Sequence, residues 1–365
     1  MMTIASQLQR VTLVAGLAAI QLVLVTGASG CVASIGVEDV DPSADGDPGD
    51  SVLVNAAVTN AVLYVAPTGS DSNPGTIDRP LKSVSKGVSL AGPGSTLYLR
   101  GGTYVENVKF SVAKGTATSP IHMAAYTGER PVIQGLLWLN GANYWTLDGI
   151  NVTWNSSNSS ADHMVKMTGG SNWSIRNCEF WGAHSFAALL ISGGATNVYV
   201  GYSTLHDTYK SNSTNQDHLI YANQVNGGVF EHNLFYNSPN GRGIKVGSLT
   251  NGLSMPANLV IRYNTFYNNL GPSNLQFSYS ANHNAAYRNI MVKSSLANIT
   301  TNSLSGTGNA THDNIGWGST KVVATAPGLT DDGGNLHVDP QLKDPDHGDF
   351  HPLSAAAAAY GRYAP

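Results

Sequence analysis

The chain has 365 residues, enough for a large core, and no shift in composition divides its folded part. Charged residues are only 12% of it, about half the usual share, and a net charge of −4 without a basic stripe argues against nucleic acid as a partner. Two cysteines far apart in sequence give neither a disulfide framework nor a zinc spacing.

Residues 1–30 read as an export signal: Arg10, an apolar run from Val11 to Val25, then the small residues Gly27-Ala28-Ser29-Gly30. Cys31 follows directly, as in bacterial lipoprotein signals whose thiol is lipidated; Ala28 stands where that motif usually has Leu, and ordinary cleavage nearby is the alternative. The expected location is therefore secreted or lipid-anchored on the outer side of the bacterial membrane. No other segment has the ~18 apolar residues needed to span a bilayer. Residues 31–60 read as a flexible linker, because 38–51, EDVDPSADGDPGDS, is acidic and rich in Pro and Gly and cannot bury a core.

The folded part is read as residues 61–365. Tyr64 to Ala66 reads as a strand, Ser70 to Thr76 as a turn-rich loop, and Leu81, Val84, Val88 and Leu90 as the apolar side of a short helix. Such a helix would plug the open end of a solenoid.

An internal repeat follows. In SIRNCEF, YVGYSTL, VFEHNLF, VIRYNTF and AAYRNIM, an apolar residue is followed three positions later by a small or amide residue and two later by another apolar one. The first position reads Ile175, Val200, Phe230, Ile261 and Ala286, and the last Phe180, Leu205, Phe235, Phe266 and Met291. The middle position reads Cys178, Ser203, Asn233, Asn264, Asn289 and Asn314, at intervals of 25, 30, 31, 25 and 25 (178→203→233→264→289→314). A gap of three breaks strand alternation, so a corner lies between the first and middle positions. Asn tolerates the left-handed backbone and can bond to its copy in the next coil. Cys178 in such a slot is expected to be a buried, inert thiol.

A second strand recurs after each corner: HMVKM, ALLIS, HLIYA, GIKVG, NLQFS and NITTN. Val165, Leu189, Ile220, Ile244, Leu275 and Ile299 form one inward stack; Met167, Ile191, Ala222, Val246 and Phe277 form the next. The position between them is expected to face solvent and reads Lys166, Leu190, Tyr221, Lys245, Gln276 and Thr300.

This repeat, with its amide corner, resembles the pectate-lyase-like superfamily, here read as an exported bacterial member. The resemblance covers residues 61–365 and implies an all-β, right-handed parallel β-helix solenoid with three strands per coil and an N-terminal capping helix. The C-terminal NLHVDPQLKDPDHGDFHPLSAAAAAYGRYAP is also similar to family sequences and implies closure of the last coils; Asp339-Pro340 and Gly348-Asp349-Phe350 read as turn chemistry. The fold hosts lyases, hydrolases, epimerases and non-catalytic adhesins, so it does not fix activity.

In the superfamily's enzymes, polysaccharide lies along the outer face of one sheet between longer loops. Here the two long coils bracket Tyr221 and Lys245, lengthened by DTYKSNSTNQ (207–216) and SLTNGLSMPA (248–257). Lys245 and Tyr221 are 24 apart, as are Arg242 and His218. A polyuronate lyase must neutralise the sugar carboxylate, remove the acidified C5 proton and protonate the leaving oxygen. Arg242 or a calcium ion suits the first task. Lys245, Tyr221 or His218 suits the others, Lys245 being favoured as base by the neighbouring cation and by the Lys or Arg bases of similar lyases. Lys166, Gln276 and Asp217 are candidate substrate contacts. Each has a plainer reading: Lys166 and Lys245 as solvated lysines, Tyr221 as a sugar-stacking platform or mere surface, and His163 and His218, both preceded by Asp, as structural residues at strand starts.

Hydrolysis needs two carboxylates roughly 5–10 Å apart, and the outward ladder has no Asp or Glu. The polygalacturonase pattern of Asn-Thr-Asp, an Asp pair and Gly-His-Gly is missing; Arg242-Gly243-Ile244-Lys245 is only loosely similar to that family's Arg-Ile-Lys, and Asp331-Asp332 lies in the terminal region. Calcium-dependent pectate lyases carry an acidic cluster beside the base, for which only Asp217 and Asp207 are evident. No cofactor is therefore assigned. The sequence points to a monomeric, extracellular lyase of an acidic polysaccharide, with a non-catalytic glycan- or cell-wall-binding β-helix as the alternative.

Overall fold

The computed structural model describes residues 57–158, 163–209, 217–248 and 256–365. The export signal, Cys31 and the linker up to residue 56 lie outside them, as do most of the two long loops.

Each coil carries three short strands, and each strand pairs in parallel with its copies in the coils above and below. Among the described residues this builds three sheets of 11, 10 and 9 strands. In one coil, Trp145–Asp148 lies in the first sheet, Asn151–Thr153 in the second and Val165–Thr168 in the third. The all-β, right-handed parallel β-helix expected from the repeat is what the chain forms. The inward residues of all three sheets make one continuous apolar core.

The corner between the first and second sheets is bonded from coil to coil by the middle position of the repeat. The backbone N–H of Cys178 donates to Ser203 Oγ, and those of Ser203, Asn233, Asn264 and Asn289 donate to the side-chain oxygen of the next Asn, at 2.9–3.2 Å. The ladder runs one coil beyond the sequence reading, from Asn314 N–H to Asn335 Oδ1 at 2.9 Å. The left-handed residue is not the ladder residue but the one before it: Asn177, Tyr202, His232, Tyr263, Arg288 and Asp313 have φ of 48–57°. That residue turns the chain, and the turn aims the next side chain inward. Burial pushes the Cys178 thiol up to about 12, and its Sγ donates to Arg176 O at 3.1 Å, which keeps it inert.

The helix Val84–Leu90 caps the N-terminal end. Ser83 accepts from Lys86 N–H, and Glu106 accepts from the N–H groups of Val84 and Ser85, which satisfies donors the helix itself leaves open. Val84 and Val88 point into the core. A Cβ on Gly87 would lie 2.7 Å from a Leu97 methyl, so this close approach needs glycine.

The C-terminal segment departs from expectation. Instead of only closing the last coils, it folds back along the outside of the second sheet. Phe350 is buried there with Leu234, Tyr267, Ile290, Val292 and Ile315, so it is an apolar anchor rather than a turn residue. Farther along, Arg362 donates to Ser203 O and Thr204 Oγ1 at 3.0 and 2.8 Å. The outward residues of these strands are apolar, and the tail removes them from water.

Asn264 tests the ladder. Its amide donates to Phe230 O and Arg262 O and accepts from Asn233, all at 2.8–3.0 Å and largely out of water. Asn264→Ala orphans those groups and is expected to destabilise the protein by about 1–3 kcal/mol. Thermal unfolding checks this, and an unchanged Tm would refute the ladder's role.

Candidate active site on the third sheet

The third sheet positions the candidate residues through its register. Lys166, Leu190, Tyr221, Lys245, Gln276 and Thr300 are successive partners, the first five each between two inward core residues. Their alternation with the core stacks is as expected, but their exposure is not. They point away from the coil interior and yet are at most 4% exposed. Several of these side chains contact rings or polar groups of neighbouring coils. The Lys166 ammonium sits 4.0 Å from the Trp138 ring centroid, and the Lys245 ammonium sits 5.0 Å from Tyr221 and 5.6 Å from Tyr279. Gln276 donates to Thr300 Oγ1 at 3.3 Å and accepts from Ser278 at 2.9 Å. Leu190, Tyr221 and Ala187 pack together as a small outward apolar cluster.

Lys245 and Tyr221 are thus brought together on adjacent coils. His218, at the start of the Tyr221 strand, meets the Tyr221 ring edge-on at 5.7 Å, and the backbone N–H of Arg242 donates to His218 Nδ1 at 3.3 Å. His218 and Arg242 were expected on an exposed face, but both are 2% exposed. The Arg242 stem passes close to Gly271, where a Cβ would lie 3.4 Å from Arg242 Cγ. Asp217 is fully buried: its carboxylate accepts from Thr208 at 3.2 Å, and its carbonyl accepts from Thr208 and Ser238. Its φ of 116° is a costly backbone state for a residue with a side chain. Lys166 lies two coils from Tyr221 and does not join the group. It belongs with Trp138, which the sequence reading missed. The signal was Leu137-Trp138-Leu139, the same in-out-in pattern one coil earlier, in register with Val165-Lys166-Met167.

Calcium binding needs six to eight oxygen ligands, several of them carboxylate. Among the described residues no group of three or more His, Cys, Asp or Glu side chains is arranged to hold a metal ion. Asp207 is committed elsewhere: it accepts from Asn237 at 3.0 Å and pairs with His206 Nδ1 at 2.7 Å. The described residues therefore do not fit a calcium site beside Lys245, and no step is routed through one.

Asp207 belongs to a second polar cluster, on the outside of the second sheet. His206 Nε2 faces Glu179 at 3.1 Å, Glu179 also pairs with Arg130, and the imidazole stacks on Tyr236 at 4.6 Å. With carboxylates at both nitrogens, the ring binds them best as imidazolium. Burial opposes that charge, but the bonds to Asp207 and Glu179 outweigh it and raise the His206 pKa. The bond from His206, helped by Arg130, brings Glu179 down to about 2 against its burial.

The sign of the linkage follows. The raised His206 contributes stability that is complete below its ordinary 6.5 and is lost as pH rises through the folded-state value. The depressed Glu179 contributes above its ordinary 4.5 and loses this as pH falls through about 2. Between 4.5 and 6.5 both are fully present. The Tm difference between wild type and His206→Gln should be largest in that window and shrink above it. A pH-independent difference would contradict the charged cluster.

Residues 63–237 match the model of the Pel9A-like right-handed β-helix region. Pectate lyase PEL9 of Emericella nidulans is 49% identical over 92 residues, 24% of this chain and 22% of that protein. Pectate lyase L of Paenibacillus polymyxa is 32% identical over 143 residues, 36% and 30% of the two chains. The chain thus spans less than a third of the length of either. The crystal structure of pectate lyase Pel9A superposes with a TM-score of 0.59 at 17% identity, over 78% of this chain and 80% of that one, which is a likeness of fold.

Proposed function

We propose that the chain, a right-handed parallel β-helix of the pectate-lyase-like kind, cleaves an acidic polysaccharide by β-elimination on the outer side of the third sheet. The observation that carries this reading is the pairing of Lys245 with Tyr221 on adjacent coils, beside His218 and Arg242. The names of the relatives make pectate the first substrate to try.

In the proposed reaction the neutral amine of Lys245 takes the C5 proton of a uronate. The C5–H electron pair forms the C4–C5 double bond, and the C4–O bond to the next sugar breaks. Its electrons leave on the glycosidic oxygen, which takes a proton from Tyr221. The fixed charge of Arg242 stabilises the carbanion-like transition state more than the ground state, so it speeds turnover as well as binding. His218 orients Tyr221 through the edge-on ring contact. Lys166 and Gln276 lie on the same ladder, where a chain running along the solenoid would meet them. We further propose that the protein works outside the bacterial cell, secreted or held by a lipid on Cys31, and acts as a monomer.

One observation favours a second reading, a glycan-binding β-helix without turnover: Lys245 and Tyr221 are each only 4% exposed. Ultraviolet absorbance of the unsaturated product on pectate, alginate and glycosaminoglycans separates the two. Lys245→Ala is expected to lower turnover by about 10²-fold or more. Lys245→Gln keeps much of the side chain's reach but offers no basic nitrogen, so it should not restore activity. Loss of the contacts to Tyr221 and Tyr279 should cost about 1 kcal/mol, leaving the fold intact by circular dichroism. Wild-type turnover in Lys245→Ala would remove Lys245 as the base. Binding without turnover by the wild-type chain would establish the second reading.

A further inference from the structure

A different face of the solenoid, the outside of the first sheet, carries a groove of about 390 Å³. Its rim is built from one column of corner residues. Thr146, Ser174 and Tyr199 are register partners, and two positions before each stand Tyr144, Asn172 and Asn197, with φ of 51°, 56° and 53°. The same column holds glycine at Gly227 and Gly308, where the left-handed backbone carries no steric cost. A tyrosine here sits in a backbone state that favours glycine, at a local cost.

The rings also differ in their surroundings. Tyr202, His232 and Tyr263 stack on one another at 4.9 and 5.2 Å and so cover their own faces. Among the described residues, no ring stacks on Tyr144, which is half-buried beside the groove. The floor is low because Thr146 and Ser174 are small, and they bond to each other at 3.1 Å. On the far wall, Arg176 lies over the Tyr199 ring at 4.7 Å. Arg262, on the same edge, is neutralised by Glu231 at 2.7 Å, and Tyr199 donates to that same carboxylate at 3.0 Å. Arg176 is exposed, and among the described residues no carboxylate pairs with it; Asp148, its register neighbour, accepts from Asn177 at 2.8 Å.

We propose that this groove is a second, non-catalytic binding site for an acidic sugar chain. Arg176 takes a sugar carboxylate, Tyr144 packs on a ring face, and the exposed amides of Asn172 and Asn197 bond to hydroxyls. The class of ligand follows from the lining: a free guanidinium suits a carboxylate, and an uncovered ring beside two amides suits a pyranose. The rim spans three coils, two steps of about 4.8 Å, which fits two or so sugar units and is too short for a protein partner. The identification of the ligand rests on the acidic-polysaccharide reading above, whereas the site itself uses none of the third-sheet residues. Holding the polymer on one face raises the effective concentration of its other segments at another.

The test is calorimetric titration of the full chain carrying Lys245→Ala with saturated trigalacturonate, alongside its carboxyl-reduced neutral analogue. Two sites are expected for the acidic probe. Adding Arg176→Gln or Tyr144→Gly should weaken one of them at least tenfold, and Tyr144→Gly should not lower Tm, since glycine is at ease at this φ. The neutral probe should bind the groove more weakly and be insensitive to Arg176→Gln. One site that is insensitive to both substitutions would overturn the proposal. One site that is lost with Arg176→Gln and unaffected by Tyr221→Ala would support the groove and count against the catalytic face.

Discussion

The structure depends on holding each coil in register with the next, and the buried amide at the inner corner enforces that register. A parallel sheet alone resists slippage only weakly along a solenoid, because every coil is a near copy of its neighbour. At the corner, one side chain accepts from the N–H of the preceding coil while donating to carbonyls on its own and earlier coils. A slip by one residue would break these bonds and turn the core stacks outward, so both penalties act together. Coils of different length are tolerated because their extra residues leave between sheets, where they do not disturb the ladder.

The candidate chemistry is a consequence of that register. Lys245 and Tyr221 are far apart in sequence and meet only because the coils containing them stack position for position. The same rule puts Arg176 over Tyr199 on one face and lines up the Trp181, His206 and Tyr236 positions on another. A β-helix builds sites by columns, and a column's chemistry changes one residue per coil. This explains how a single chain can carry an amine–phenol pair, an imidazolium between carboxylates and an arginine-lined groove without altering its core.

Much of this was legible in the sequence, because strand alternation and a fixed coil period act residue by residue. The inward stacks, the ladder from Cys178 to Asn314, the capping helix and the Lys245–Tyr221 pairing all follow from spacing. What was not legible depends on neighbours in other coils. Alternation says that Lys245 points away from the core, but it does not show that the side chain is buried, with the rings of Tyr221 and Tyr279 near its ammonium. Nothing local marks Phe350 as an anchor, since the surface it covers is assembled from four coils. Glu179 and His206 carry no local signal in the sequence, and only the register of adjacent coils makes them partners. The corner lies between the first and middle positions, as the broken alternation implies, but the residue that turns the chain there is the one before the ladder residue. Two residues divide those tasks.

The central claim is that the register of the third sheet presents Lys245 and Tyr221 to one uronate of an acidic chain. The most direct measurement is a crystal structure of the Lys245→Ala chain with a saturated acidic oligosaccharide bound. The account predicts sugar along the outside of the third sheet, a C5 hydrogen aimed at the space vacated by the Lys245 side chain, and a glycosidic oxygen within hydrogen-bond reach of the Tyr221 hydroxyl. An oligosaccharide bound only on other faces, or one on the third sheet with its C5 turned away from residue 245, would contradict it.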